Sequence, residues 1–301
     1  MIKCPAGAGF LFRSCVRAEI ITLKCGGKMN RKTMLCRLTA GIIIITIVIF
    51  VSAGNVYAKE NENLPTLIQA TTLEEDYRAL AKLELAVTPL LLEEDWERAF
   101  ENVLCSCVRI QTREHYGSGS IYKMKENEII IVTNRHVLED FDDDSHVTFF
   151  NGAVGFGEIL GTSDLADVGF ISISTASFPW EELLVFRNVR PLDTEGEGGG
   201  QKGLWQGNGA DESIRFFCPD MANYFETPVM KSGELLPQAV YLEDFGMEML
   251  YGTGSAAPGM SGSGVFDGCG NYLGMLTGAT GAGEIAAVPL EVVRREYEEM
   301  N

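Results

Sequence analysis

Three short stretches of the chain carry residue types that could together perform nucleophilic hydrolysis. In the first, Ile131-Val132-Thr133-Asn134-Arg135-His136-Val137, an apolar run ends in a polar turn and presents His136, an imidazole that titrates near neutrality. In the second, 161–173, Asp167 leads directly into the apolar run 168–173, where a carboxylate is partly buried and suited to hold an imidazole in one tautomer. Asp164 is the rival acid in that stretch; Asp167 is preferred because only it opens the apolar run. In the third, Pro258-Gly259-Met260-Ser261-Gly262-Ser263-Gly264, Ser261 sits between glycines. A nucleophilic hydroxyl needs a tight, exposed turn with backbone N–H groups aimed at the developing oxyanion, and glycine permits both. Each stretch alone has an ordinary reading as a surface His, an acidic turn and a Gly/Ser hairpin. Their combination and order, His then Asp then Ser, point to acyl transfer.

These groups must be positioned by the elements around them. From residue 103 the sequence breaks into short β runs at 103–110, 118–123, 129–133, 147–150, 158–161 and 168–173, and six such strands predict a small barrel. A second set lies at 214–218, 238–242, 248–252, 264–266, 272–276 and 285–288, with a helix from Leu290. Between the sets, 195–209 holds seven glycines and reads as a flexible connection. Upstream, Thr72-Leu73-Glu74-Glu75 has capping-box spacing and predicts a helix over 73–86, and Thr88-Pro89 predicts the start of a second through Trp96 and Phe100. The expected fold class is all-β, two six-stranded antiparallel barrels with an N-terminal helical segment and a C-terminal helix.

The three stretches resemble the trypsin-like serine proteases, most closely the HtrA-type bacterial branch, with its T-N-x-H-V, D-L-A-V-L-K-I and G-N-S-G-G-P patterns. Two further stretches support the resemblance: Tyr116-Gly117-Ser118-Gly119-Ser120-Ile121-Tyr122 before the His, and Ala286-Ala287-Val288-Pro289-Leu290 before the last helix. It covers about 103–293 and implies a chymotrypsin-like two-barrel domain over 103–298. It implies His136 as general base, Asp167 as orienting acid, Ser261 as nucleophile, and the N–H groups of Gly259 and Ser261 as the oxyanion hole. It further implies a primary substrate pocket at Ser255, Thr277, Gly278 and Ala279, a serine endopeptidase acting on proteins or peptides, and no cofactor or metal.

The chain departs from the family pattern at Met260, where an Asp or Asn is usual, so an ion pair between a newly cut N-terminus and that position cannot form. Ser263-Gly264 replaces Gly-Pro, and the eight residues after Val293 are too few for a PDZ domain. Ser255 supplies no carboxylate for Lys or Arg, and no His comes after His146, so cleavage after small or medium apolar residues is expected; Glu284 is the one acid that could reach the pocket. The alternative on the same fold is a non-catalytic binding module at the cell surface.

The chain of 301 residues has a formal net charge of −18, unevenly spread: residues 1–58 carry eight Lys/Arg and one acid, which leaves 16 Lys/Arg against 41 Asp/Glu downstream. That repulsion excludes a nucleic-acid partner for the acidic part. Residues 38–58 are 21 consecutive uncharged residues after Lys28, Arg31, Lys32 and Arg37. They read as an export signal cleaved near Ala58, giving a secreted protein, or as a membrane anchor; in both cases the chain beyond Ala58 is extracytoplasmic. Met29 is an alternative start, with 1–28 then untranslated. Residues 59–102 read as a linker and helical segment. Cys105, Cys107, Cys218 and Cys269 have no zinc spacing, and Cys105 and Cys107 are expected on one face of a strand, each free or paired with Cys218 or Cys269. The acidic run 139–144 reads as a solvated loop.

Overall fold

The apolar run around 130 becomes β3, Glu128–Thr133, five of whose six residues are buried, and the N-terminal sheet is built outward from it. The computed structural model describes residues 71–192, 213–221 and 228–300. The export segment 38–58, the linker 59–70 and the glycine-rich 195–209 lie outside them. β3 pairs antiparallel with β2, Tyr116–Met124, on one side and with β7, Gly169–Ser174, on the other. Beyond β2 lie β1, Cys107–Gln111, then β4, His146–Phe149, and the two-residue β5, Val154–Gly155; beyond β7 lies β6, Gly157–Thr162. The result is a seven-stranded half-barrel.

The C-terminal sheet closes. Its strands are β8, Ile214–Asp220; β9, Val229–Leu235; β10, Val240–Leu242; β11, Met247–Gly254; β12, Gly264–Phe266; β13, Tyr272–Ala279; and β14, Glu284–Pro289. They run in the order β10-β11-β14-β13-β12-β8-β9, and an extra pairing of β11 with β9 joins the ends into a six-stranded barrel, with β10 left on an edge. This is the chymotrypsin-like two-barrel fold. The barrel's six strands are not the six expected from pattern: β9 takes the place of β10. Along β9 only Leu235 is fully buried, so no apolar alternation marks it.

Three differences appear at the N-terminal edge. Helix α1, Leu73–Lys82, has the expected capping box, Thr72 Oγ1 accepting from Glu75 N–H while Glu75 accepts from Thr72 N–H, but it ends four residues early. Helix α2 runs Trp96–Val103 and is capped by Asp95, not started by Pro89. The strand expected from 103 begins only at Cys107. Residues Leu104–Ser106 form a 3-10 turn in which Ser106 Oγ donates to Val103 O at 2.7 Å, and Cys105 therefore does not share a strand face with Cys107. The four cysteines among the described residues, Cys105, Cys107, Cys218 and Cys269, are free. A helix over 180–183, α3, and the C-terminal α4, Leu290–Met300, complete the described α-helices.

Three apolar clusters hold these parts. One fills the half-barrel and includes Tyr77 and Ala81 of α1, so the N-terminal helix is part of this core. One fills the closed barrel around Leu250, Val265 and Leu276. The third joins both sheets: Val132 and Phe170 meet Phe217, Phe266 and Tyr272, and α4 seals it with Tyr297, whose ring lies 4.9 Å from that of Tyr122.

Tyr77 is 1% exposed, donates to Lys125 O at 2.7 Å and packs against Trp180. Tyr77→Ala should therefore lower unfolding stability by roughly 3–5 kcal/mol in chemical denaturation, the cost of a buried aromatic cavity. An effect below about 1 kcal/mol would mean α1 is not part of the folded core.

Candidate active site

His136 leaves β3 on a single 3-10 turn, Arg135–Leu138, which turns the chain out of the sheet and leaves the imidazole half-exposed. Val137 and Leu138 of the same turn are buried and anchor it. Asp167 arrives from the turn before β7. That turn is held by Ser163, whose Oγ accepts from the N–H groups of Leu165 and Ala166 while Ser163 N–H donates to Val168 O. The two residues meet through both carboxylate oxygens: His136 N–H donates to Asp167 Oδ1 at 3.0 Å, and Nδ1 lies 2.8 Å from Oδ2. A carboxylate can only accept, so the proton sits on Nδ1 and the Nε2 lone pair is free. Asp164 is exposed and outside this contact.

The Asp167 hydrogen bond raises the His136 pKa above its ordinary 6.5. Burial opposes the rise; the Asp167 and Glu139 charges add to it and Arg135 lowers it. Because the folded value lies above the unfolded one, this pairing stabilises the fold fully below about pH 6.5, and the contribution is lost as pH rises through the raised pKa.

Ser261 comes from the other barrel, on the loop between β11 and β12. Gly259 has φ 87° and Gly262 has φ 88°, values open to glycine alone at little cost, and they fold the loop sharply on either side of the serine. A Cβ on Gly262 would lie 2.1 Å from Ser118 O, so the loop can approach β2 only with glycine there. Met260 is 1% exposed and enters the closed barrel's cluster beside Leu250, Val265 and Leu276. Its N–H donates to Ala257 O and its Sδ accepts from Ala257 N–H, both at 3.2 Å. Ser261, Gly259 and Pro258 line one cavity of about 280 Å³ together with His136, Val137, Glu114, His115 and Tyr116. Among the described residues, the Gly259 and Ser261 N–H groups have no acceptor.

Asn134, fully buried, joins these parts. Its Nδ2 donates to Asp167 O at 3.0 Å and to Thr277 Oγ1 at 2.8 Å, one bond within the half-barrel and one across to the closed barrel. Its Oδ1 is buried without a partner. Thr277 thus turns its hydroxyl to Asn134. Ser255 and Ala279 are exposed, and a Cβ on Gly278 would lie 3.5 Å from Phe245, an aromatic neighbour with no signal in the sequence. Glu284 is occupied by neighbours, accepting from Tyr251 Oη at 2.8 Å and Thr280 Oγ1 at 3.1 Å.

For a metal, the described residues offer one group: Glu114, His115 and Asp140, all exposed, with ligand atoms within 4.8 Å of one another. His115 Nε2 and Asp140 Oδ2, 3.4 Å apart, form an ordinary surface ion pair when the His is protonated. In the acidic run, Asp142 is paired with Arg113.

A family model described as Trypsin-like peptidase domain matches residues 117–275, more than half of the chain. No curated protein matches. Among solved structures, the chain is similar to Rv3671c from M. tuberculosis H37Rv, a serine-to-alanine mutant in its inactive form, with 12% identity, 71% of this chain and 97% of that chain covered, and a TM-score of 0.49.

The two-oxygen contact with Asp167 has a direct readout. In an NMR titration the His136 imidazole should titrate above 6.5, and Asp167→Asn should move its midpoint down. A midpoint unchanged by that substitution would mean the contact is absent in solution.

Proposed function

Because the chain belongs to the trypsin-like peptidase domain family, with residues 117–275 matched, we propose that it is a serine endopeptidase in which His136, Asp167 and Ser261 form the catalytic triad. The observation that carries the reading is the grip of Asp167 on both the backbone N–H and Nδ1 of His136, at the edge of a cavity that His136 shares with Ser261. With Nδ1 held, Nε2 takes the Ser261 proton as Oγ attacks the peptide carbonyl. The oxyanion accepts from the unoccupied N–H groups of Gly259 and Ser261. His136 then protonates the leaving amine, and water, activated by the same imidazole, hydrolyses the acyl-enzyme ester.

The cavity that His136 shares with Ser261 is not lined by Ser255, Thr277, Gly278 or Ala279, so it is separate from the proposed primary pocket. On the acyl side, small residues flank the proposed pocket, and the carboxylate of Glu284 is engaged by Tyr251 and Thr280. Both features support cleavage after small or medium apolar side chains. The uncharged segment 38–58 and its basic flank support an extracytoplasmic site of action, by secretion or by anchoring.

A peptide-library digest tests the chemistry and the preference together. Ser261→Ala and His136→Ala should each abolish nearly all turnover without additivity, and Asp167→Asn should cost on the order of 10⁴, the size seen for the acid of such triads, while Asp164→Asn does little. Cuts should come after Ala, Val or Leu. Absence of fluorophosphonate labelling at Ser261 in the folded wild type would instead favour a binding module; cuts mainly after Lys, Arg or Glu would refute the pocket assignment. For export by cleavage, N-terminal sequencing of the mature protein, released or membrane-bound, should begin at Lys59, and membrane-bound protein that starts upstream of residue 38 would favour the anchor.

A further inference from the structure

The Ser261 loop is held from outside by one residue of the opposite barrel. Ser118 lies on β2 and is fully buried. Its N–H donates to Ser261 O and its Oγ donates to Gly259 O, both at 2.8 Å. Its own carbonyl accepts from Thr133 Oγ1 at 2.7 Å, which fixes the Ser118 backbone on the strand that leads to His136. One side chain and its amide thus hold the carbonyls of the two residues whose N–H groups would stabilise the oxyanion.

The peptide units of the loop are not held equally. The Gly259–Met260 unit is tied at both ends, its carbonyl by Ser118 Oγ and its N–H by Ala257 O. The Ser261–Gly262 unit is tied by Ser118 N–H and by Leu276 O at 2.8 Å. The Met260–Ser261 unit has its carbonyl held by Ser263 N–H at 2.9 Å, which aims the Ser261 N–H the opposite way. Among the described residues, the Pro258–Gly259 unit alone of these has neither end bonded, so the direction of the Gly259 N–H depends on where the rest of Gly259 is held. Without the Ser118 hydroxyl the Gly259 carbonyl loses its donor, and glycine gives the backbone freedom to rotate in search of another.

We propose that Ser118 is a positioning residue for the oxyanion hole, acting through its hydroxyl on the Gly259 carbonyl and, through that, on the Gly259 N–H. The proposal rests on the endopeptidase reading of the site. It needs no contact between Ser118 and substrate.

A matched control lies two residues along the same strand: Ser120 is equally buried, and its Oγ has no hydrogen-bond partner. Ser118→Ala should lower kcat by roughly tenfold to a hundredfold with KM within about twofold, less than loss of a hole donor itself, because the N–H remains but is misaimed. Affinity for a peptide boronate, whose tetrahedral adduct uses the hole, should fall by a similar factor. The His136 midpoint in the pH profile should not move, and Ser120→Ala should stay within about twofold of wild type. Three outcomes overturn the proposal: Ser118→Ala with unchanged kcat and boronate affinity, equal losses in Ser118→Ala and Ser120→Ala, which would mark a packing effect, or a loss confined to KM. A wild type that neither turns over nor labels with fluorophosphonate is a separate result, which overturns the endopeptidase reading and this role with it.

Discussion

The geometry of the cleft depends on a few hydrogen bonds that cross from the half-barrel to the closed barrel. His136 and Asp167 belong to one sheet and Ser261 to the other, so their relative position is only as fixed as the joint between the two. Misplacement of a reacting group by about 1 Å can cost on the order of 10² in rate. The aromatic cluster around Phe217, Phe266 and Tyr272 supplies attraction across the joint but no direction. Direction comes from polar bonds: Ser118 to Gly259 and Ser261, and Asn134 to Thr277. Both donors sit on or beside β2 and β3, next to His136, so the strands that carry the base also hold the loop that carries the serine.

Met260 shows how the loop is anchored from its own side. Relatives with Asp or Asn there have a polar group to bond, whereas this chain buries a thioether among Leu250, Val265 and Leu276. Full burial of a Met side chain contributes about 1.5–3 kcal/mol, without the desolvation cost that a buried carboxylate incurs until it is paired. The sulfur also accepts from Ala257 N–H, closing residues 257–260 into a small ring. An apolar anchor of this kind does not wait for a partner.

Much of this arrangement was legible in the sequence, and what was not has a common cause. The capping box at Thr72, the strands at 129–133 and 264–266, and the helix from Leu290 declare themselves through local pattern. β9 does not, because its residues are mostly part-exposed and its place is fixed by pairing with β8 and β11. Pro89 looked like a helix start because proline suits that position, yet the side-chain cap that the structure uses is Asp95. The contact between His136 and Asp167 was foreseeable from motif order. The bonds of Ser118 and Asn134 to the other barrel, 141 and 143 residues away in the chain, were not, since a Ser or Asn in a strand or turn has no local feature that names its partner.

The free cysteines bear on where such a protein could work. An extracytoplasmic site exposes thiols to oxidants, and the nucleophilic, oxidisable form is the thiolate. Burial pushes the Cys107 and Cys218 thiols far above their ordinary range, with neighbouring cysteines adding to the effect, and pushes Cys105 up to about 11 despite the charge of Arg187. Cys269 is raised as well, by burial and then by Asp267 and Glu94. All four are thus held as thiols through the neutral range. Cys107 and Cys218 are, in addition, closed off from solvent at 2% and 1% exposure. Among the described residues the unpaired cysteines are therefore compatible with an oxidising exterior: burial disfavours their thiolate form and, at Cys107 and Cys218, closes them off from solvent.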